Sequence, residues 1–494
     1  MKYKTFPGGY RFTNISGQPQ EKLLEIEIPQ KVIIPLRQGF GNEVPPIVKV
    51  GQKVKAGQII GRDDKSVSSP VHSTVNGEVL EIRKINYFKQ EINSVIIKSD
   101  GTFDWQPLEG HSSDWTKLPV EKIEEILYLS GVAALDREGI PTRFKSSIIS
   151  PQDVENLIVH GVGSEIYNLS ISILLAGKKI FHFVEGIKIL KKIMPKAKVY
   201  LALNRYNVNL IEQISKLTAD CNWLEVCPLE PKYPQGYDEM LVPTLLGKRF
   251  PYGYSAANIG VVILNIQAVL HVYEAVVEGK PLIERTIALC GDGFKENVHI
   301  KVRVGTLLKD IISQRLKENI DVRIVLNSLL TGVRLNDFSL PINRTYSHLI
   351  AIPENRNREF LSFLRPGINR DSYTNTFLSK YLHFGMKKLN TNIHGEPRPC
   401  ISCGYCEEVC PVGIIPHLIY RYVERNIIDE TLMNYGIFNC IECNLCSYVC
   451  PSKIPLAKFI KEGQEKLITI GCDRSLCILP YFDLKGLDEY RGVK

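Results

Sequence analysis

Short runs of alternating apolar and polar residues occupy the first hundred positions of the chain. They lie at residues 31–35, 48–61 and 69–82, and glycines separate them. A period of two is the pattern of half-buried strands, and glycine supplies the backbone freedom that tight turns need. The pattern therefore predicts a small β domain over residues 1–100, in which the second and third segments form two similar hairpin halves.

These two halves resemble those of biotinyl/lipoyl-type domains, which fold as barrel-sandwich hybrids. In a lipoyl carrier an exposed lysine stands on the turn between the halves, and Lys65 lies near that place here. Turn lysines are usually solvated surface residues, and we interpret Lys65 in this way. A covalently modified carrier lysine is the alternative, and an intact-mass measurement distinguishes the two.

From about residue 120 to 290 the pattern changes to alternating strands and amphipathic helices. The predicted strands are 156–160, 179–184, 198–203 and 259–264, and the predicted helices include 212–218 and 267–277. Strands that alternate with helices are typical of a parallel sheet with helices on its faces. We therefore predict a parallel-sheet α/β domain over 120–290, with its ligand site at the carboxyl ends of the strands.

Two smaller units are predicted after the α/β domain. Strand, glycine turn, helix and strand follow one another within residues 296–345, an order that indicates a ubiquitin-like, SLBB-type β-grasp unit. Helical spacing of apolar residues then predicts an α-helical domain over 373–465. A C-terminal tail is expected over 466–494.

Composition narrows the class of protein further. A chain of 494 residues with 44% hydrophobic and 23% charged residues fits a globular protein of three or four domains. The apolar run 259–264 is followed by polar residues that would be costly in lipid, so we do not expect a membrane span. The start of the chain lacks the apolar run of a signal peptide, so a cytosolic location is expected. The net charge of +8 forms no basic stripe, which argues against nucleic acid.

Eight of the thirteen cysteines form two copies of the pattern C-x2-C-x2-C-x3-C-P. This spacing is typical of paired [4Fe–4S] clusters, in which the cysteine before proline ligates the cluster of the other copy. We therefore assign Cys400, Cys403, Cys406 and Cys450 to a first cluster and Cys440, Cys443, Cys446 and Cys410 to a second cluster. Structural zinc is the alternative, but zinc sites use two separated C-x2-C pairs and have no need of a third cysteine at this spacing.

Four of the other five cysteines are interpreted as ordinary thiols. Cys472 and Cys477 have no partner pair that would complete a metal site. Cys221 and Cys227 flank an apolar segment and are expected to be small buried residues.

Several segments together resemble RnfC, the C component of the Rnf electron-transport complex. They are Thr5-Phe-Pro-Gly-Gly9, Val48 to Gln58, Ser69 to Gly77, Tyr233-Pro-Gln-Gly236, Glu274 to Arg285 and the cysteine motifs. The resemblance implies a peripheral subunit on the cytoplasmic side of the cell membrane, within an ion-translocating ferredoxin:NAD oxidoreductase. It also implies membrane subunits of the complex and a soluble carrier, NADH or ferredoxin, as partners, with electron transfer coupled to ion transport.

The family resemblance further implies FMN and NAD(H) at a glycine-rich loop of the form G-L-G-G-A-G-F-P-T. The corresponding segment here is residues 134–142, in which Gly139, Pro141 and Thr142 remain while Asp136 and Arg137 replace glycines and Glu138 replaces alanine. The family's acidic loop keeps one acid, Glu165, and Asn265 is retained as well. Gly139, Pro141, Thr142, Glu165 and Asn265 are therefore the expected flavin and nucleotide residues, in a loop where added side chains and negative charge oppose an anionic ligand.

Three functions stay open on the sequence. The first is an electron-relay subunit of an Rnf-type complex, with its own NADH dehydrogenase activity undecided and no acid–base or nucleophilic residue required. The second is a docking and relay subunit whose nucleotide site has been lost. The third is a soluble flavin and iron–sulfur reductase similar to cobalamin reductase.

Overall fold

The computed structural model describes residues 2–88, 90–102, 104–355, 386, 388–391, 398–472 and 485. Its strands are β1 (Leu23–Glu25), β2 (Lys31–Pro35), β3 (Lys53–Val54), β4 (Ile59–Gly61), β5 (Val71–His72), β6 (Gly77–Tyr87), β7 (Gln90–Ser99), β8 (Asn156–Gly161), β9 (Lys198–Asn204), β10 (Leu224–Leu229), β11 (Val261–Asn265), β12 (Glu284–Cys290), β13 (His299–Arg303), β14 (Val322–Leu326), β15 (Val333–Leu335) and β16 (His348–Pro353). Its α-helices are α1 (Val120–Leu129), α2 (Ile171–Leu174), α3 (Lys179–Ile193), α4 (Val208–Leu217), α5 (Asp238–Leu246), α6 (Ile266–Val277), α7 (Leu308–Ile312), α8 (Tyr405–Glu408), α9 (Pro416–Glu424), α10 (Glu430–Asn434), α11 (Leu445–Val449) and α12 (Leu456–Thr469). Most of the predicted tail, Cys477 and most of residues 373–397 lie outside the described residues.

The N-terminal β domain consists of an antiparallel sheet and a hairpin. The sheet has the order β2-β7-β6-β3, and β4 pairs with β5. Val32 and Val79 both stand opposite Ile97 in the register, so one face of the sheet forms a continuous apolar core. Lys65 is exposed in the connection between β4 and β5.

The α/β domain is built on a parallel sheet with the order β10-β9-β8-β11. Apolar residues of α1, α3 and α6 cover one face, and those of α5 cover the other. A sheet covered on both faces needs strands that are apolar throughout, which explains the short apolar runs in the sequence. The carboxyl ends of β8 and β11 adjoin, since His160 pairs with Asn265.

The strand predicted at 179–184 is wrong, because these residues begin helix α3. Ile180, Phe183 and Ile187 are buried at helical spacing and pack into the same core as α6. A short apolar run is compatible with the period of a strand and with that of a helix. Here the apolar positions continue at helical spacing to residue 193, which favours the helix.

A mixed sheet of six strands follows, in the order β1-β13-β12-β16-β14-β15. The predicted succession of strand, glycine turn, helix and strand is present from β13 through α7 to β14. The sheet extends beyond the predicted range 296–345, since it includes β12, β16 and the N-terminal strand β1. Buried residues of α7 and of β12, β13 and β16 fill its core.

Short helices α8 to α12 form the cysteine-bearing domain, in which α9 packs against α12. The two helices approach closely at Gly463, where an added Cβ would lie 2.7 Å from a methyl carbon of Val423. In the part of the chain that the structure describes, every helix is too short or too polar to cross a membrane.

Candidate functional site

The two cysteine motifs fold into loops of the same local conformation. Ser402 and Gly404 in the first copy, and Glu442 and Asn444 in the second, have positive φ angles. The backbone N–H of Ser402 donates to the Sγ of Cys400 at 3.4 Å, and that of Glu442 donates to the Sγ of Cys440 at the same distance. Each loop thus turns its first two cysteines before α8 or α11 begins, and the third cysteine, Cys406 or Cys446, lies in that helix.

The cysteine before proline in each copy lies beside the loop of the other copy. Cys400, Cys403, Cys406 and Cys450 line one small cavity together with His417. Burial raises the pKa of the Cys406 thiol to about 12, and the neighbouring thiols Cys403, Cys450 and Cys400 add to this.

The second set is arranged in the same way. Burial raises the pKa of the Cys446 thiol far above its usual range, and Cys440, Cys443 and Cys410 contribute next. Burial also raises the pKa of Cys440 and of Cys443 to about 12. Buried thiols held near one another favour deprotonation only when a metal compensates the charge, so the donor set fits an iron–sulfur cluster.

Among the described residues, no three His, Cys, Asp or Glu side chains are grouped as ligands of a single metal ion. The four thiolates of a cubane cluster bind at four different corners, so they stand farther apart than the ligands of one ion.

A groove of about 1510 Å³ connects the α/β domain with the second set of cysteines. Arg137, Glu138 and Glu239 line it on the side of the α/β domain, while Cys440 and Glu442 line it on the other. A ligand or partner in this groove would contact both the predicted nucleotide loop and a cysteine of the second set.

Asp136 occupies donors at the start of α6, beside the loop, that could otherwise bind an anion. Its carboxylate accepts a hydrogen bond from the backbone N–H of Asn265 at 3.0 Å and another from the side-chain amide of Asn265. The side-chain oxygen of Asn265 in turn accepts from the N–H of Ala268 at 2.9 Å, which caps α6. The backbone N–H and both polar ends of the Asn265 side chain therefore already have partners inside the protein.

The residues that follow Asp136 in the loop are also engaged within the protein. Glu138 is only 3% exposed, and its burial, followed by the charge of Asp238, raises its pKa above the usual range. Arg137 pairs with Glu239 at 2.6 Å and with Asp238 at 3.6 Å, so its charge is already compensated. The residues present therefore do not fit the phosphate of a flavin or a nucleotide at this loop.

The other predicted nucleotide residues take structural roles. Gly139 has a φ of +72°, and an added Cβ would lie 2.8 Å from the Ala133 carbonyl oxygen. Thr142 is fully buried, and its hydroxyl lies 2.8 Å from that of Ser146. Pro141 lies in the same buried turn.

Glu165 lies apart from the loop residues, because its carboxylate accepts from the hydroxyl of Ser328 at 2.9 Å. Burial raises the pKa of Glu165 to about 7, against the lowering effect of that hydrogen bond. The structure therefore brings Asn265 to the loop and directs Glu165 toward the six-stranded sheet.

Two features of the site do not follow from the sequence pattern. Nothing in the sequence indicates that Asp136 bonds to Asn265, 129 residues away. The second feature is the position of the segment Thr5–Gly9 beside Cys410. In the sequence this segment supports only the family resemblance, although two consecutive glycines can indicate a close approach of the backbone to another segment.

Comparisons with known proteins match three of the predicted domains. The RnfC barrel sandwich hybrid domain matches residues 4–102. The Nuo51 FMN-binding domain matches residues 128–274, and a 4Fe-4S dicluster domain matches residues 395–454. The predicted barrel-sandwich, flavin-subunit-like and cluster domains are thereby confirmed, whereas the SLBB-type unit stays a prediction.

Relatives extend the similarity over most of the chain. The C component of an ion-translocating oxidoreductase complex from Buchnera aphidicola is 29% identical over 91% of this chain and 86% of its own length. The C component of a proton-translocating ferredoxin:NAD(+) oxidoreductase complex from Clostridium ljungdahlii is 26% identical over 93% of both chains. The corresponding component of a Na(+)-translocating complex from Acetobacterium woodii is 26% identical over 88% of this chain and 90% of its own. The predicted resemblance to RnfC, the C component of Rnf-type complexes, is therefore confirmed over most of the chain.

Proposed function

We propose that this protein is the peripheral iron–sulfur subunit of an Rnf-type oxidoreductase complex, in which it relays electrons between a soluble carrier and membrane subunits. The observation that carries the proposal is the crossed arrangement of two thiol sets, each completed by the cysteine before proline of the other copy. Coupling to ion transport and a position on the cytoplasmic side belong to the same proposal, as do NADH or ferredoxin as the soluble carrier.

The role of the chain is to hold and separate the redox groups. Cys400, Cys403, Cys406 and Cys450 would hold the first [4Fe–4S] cluster, and Cys440, Cys443, Cys446 and Cys410 the second. When bound, such clusters accept and release single electrons. The N–H groups of Ser402 and Glu442 donate to ligand sulfurs, which lowers the negative charge that the sulfurs carry.

A second candidate function is a relay subunit that has lost its nucleotide site. The observation that favours it is the carboxylate of Asp136 on the donors of Asn265. In this form the groove beside Cys440 receives another redox protein, and no electron passes through a flavin of this chain.

Anaerobic purification of the complex with combined iron, flavin and EPR analysis tests the proposal. We expect about eight iron atoms per chain and two reduced cluster signals. Cys403→Ser and Cys443→Ser should each abolish a different signal and stop electron flow, whereas Cys221→Ser, outside the cluster domain, should leave both signals and electron flow intact. Iron-free protein, or a single zinc-like site, would contradict the proposal. Bound flavin would exclude only the second candidate.

A further inference from the structure

The segment 5–12, here called the N-terminal strap, lies between the α/β domain and the cluster domain. Its Tyr10 exchanges two backbone hydrogen bonds with Tyr233, at 2.9 and 2.8 Å. The ammonium group of Lys232 donates to the carbonyl oxygen of Gly8 at 2.8 Å and to that of Phe6. These contacts fix the strap to the α/β domain.

The other side of the strap contacts a ligand of the second cluster. The N–H of Gly9 donates to the carbonyl oxygen of Val409 at 2.9 Å. Gly8 has a φ of +66°, and an added Cβ would lie 2.6 Å from the carbonyl oxygen of Cys410. Only glycine combines this backbone conformation with so close an approach to Cys410.

Tyr233 reaches a second ligand of the same cluster. Its hydroxyl group donates to the carbonyl oxygen of Cys443 at 2.8 Å. On the strap itself, the rings of Tyr10 and Phe12 meet the ring of Tyr448 edge-on, at centroid distances of 5.6 and 5.4 Å. Two cysteines of the second cluster and the helix α11 that follows them are thus held from the α/β side.

The first cluster has a different environment. Every described residue that lines the cavity of Cys400, Cys403, Cys406 and Cys450 belongs to residues 400–456. The strap therefore acts on one set of cysteines rather than on the cluster domain as a whole.

We propose that the N-terminal strap and Tyr233 are positioning elements for the second cluster, and that they fix its backbone frame against the α/β domain. The inference rests on the proposed function only in requiring both clusters to be present. It follows that the potential and the EPR signature of the second cluster depend on Gly8 and Tyr233, whereas those of the first cluster do not.

The test compares Gly8→Ala with Gly51→Ala in the full chain, purified anaerobically. Gly51 has a similar φ of +82°, but an added Cβ there meets nothing within 4 Å, so this control has the same backbone strain without the contact. The signal of the second cluster is identified by its loss in Cys443→Ser. In Gly8→Ala we expect this signal to shift or to lose most of its intensity, with a changed midpoint potential, while the first signal and the Gly51→Ala protein stay as in wild type.

Tyr233→Phe provides a variant that keeps the packing and removes only the hydroxyl group, which donates to Cys443 and also lies 2.8 Å from the hydroxyl of Tyr237. We expect a smaller shift of the same signal at unchanged iron content. An unaltered second signal in both variants, or equal loss of both signals in Gly8→Ala, would overturn the inference while leaving the proposed function intact. Should Gly8→Ala fail to fold, Tyr233→Phe decides alone. Absence of two clusters from the wild-type protein would instead overturn the proposed function, and this inference with it.

Discussion

Asp136 and Glu138 place two carboxylates in a loop whose equivalent glycines and alanine carry no charge in the family pattern. Asp136 already accepts from the backbone N–H and from the side-chain amide of Asn265, so a phosphate group would have to displace its carboxylate. Removal of the carboxylates should therefore matter more for anion binding than any change in the volume of the groove.

We predict that the triple variant Asp136→Gly, Arg137→Gly and Glu138→Ala binds FMN at least about tenfold more tightly than wild type, which corresponds to about 1.4 kcal/mol. Quenching of flavin fluorescence measures the affinity of both proteins. A variant of the exposed Asp104 to glycine serves as control and should bind as weakly as wild type. Stoichiometric FMN in the wild-type protein would contradict the prediction.

Glu165 should make stability depend on pH near neutrality. Its pKa is about 7 in the folded protein because of burial, against an ordinary value of 4.5. Between these values the folded state holds a proton that the unfolded state has released, so stability falls as the pH rises from about 4.5 to 7. The total loss is up to about 3 kcal/mol, since one pKa unit corresponds to about 1.4 kcal/mol.

Glu165→Gln should remove this part of the pH dependence, because glutamine stays neutral and can still accept from Ser328. Thermal unfolding at pH 5 and pH 7.5 tests this prediction. Glu165→Gln should be more stable than wild type only at pH 7.5. Glu318→Gln, at an exposed position, should follow wild type at both. A constant difference between Glu165→Gln and wild type would show that burial of charge is not the cause.

At the scale of the element, α6 depends on Asn265 for its start. The side-chain oxygen accepts from the N–H of Ala268, while the amide group donates to Asp136. We predict that Asn265→Ala destabilises the protein by about 1–2 kcal/mol, because both the cap and the partner of a buried carboxylate are lost. Asn265→Ser keeps a capping oxygen and should recover about half of that loss in chemical denaturation.

The sequence predicts a strand or helix correctly where the spacing of its apolar residues is clear within a short segment. The strands β8, β9 and β11 and the helix α6 are close to their predicted bounds because apolar runs and caps lie next to each other in the chain. Helix α3 is wrongly predicted as a strand because its first six residues carry no signal that separates the two periods. Asn265 is expected to bind a cofactor, and only the fold reveals that Asp136 occupies it.

The cysteine site is more predictable than the nucleotide site for a physical reason. Ligand spacing is a local property, and the loops around Cys400 and Cys440 repeat the same turn. Contacts between distant segments cannot be read from local spacing in the sequence. The strap contacts Cys410, about 400 residues later in the chain. Strand β1, near the N-terminus, pairs with β13 in the six-stranded sheet.

At the scale of the whole molecule, one buried pair joins three parts of the fold. His72 of the β domain has its Nε2 2.8 Å from the carbonyl oxygen of Leu129 and its Nδ1 3.2 Å from the guanidinium of Arg344. Because a carbonyl only accepts, we assign the proton to Nε2, which leaves Nδ1 to accept from Arg344. Arg344 also reaches the carbonyl oxygen of Gly131 at 3.4 Å, so the end of α1 and the segment before β16 meet at His72.

This junction should make the protein sensitive to acid. Burial, and then the charge of Arg344, lowers the pKa of His72 to about 3, against 6.5 for an ordinary histidine. Between these values the unfolded state takes up a proton that the folded state refuses, so stability falls as the pH decreases below about 6.5, by about 1.4 kcal/mol per pH unit. Burial lowers the pKa of His160 and His348 to about 4, and both add to the effect.

We predict that His72→Gln lowers stability at pH 7.5, because the amide cannot match both partners of the imidazole, but that it loses less further stability than wild type on acidification to pH 5.5. Circular dichroism melts at both pH values measure the two differences. His182→Gln, on the helix α3 surface, is the control and should respond to acid as wild type does. If His72→Gln and wild type lost the same stability between the two pH values, protonation at this junction would not contribute to acid unfolding, and the joining of three domains at His72 would be a matter of packing alone.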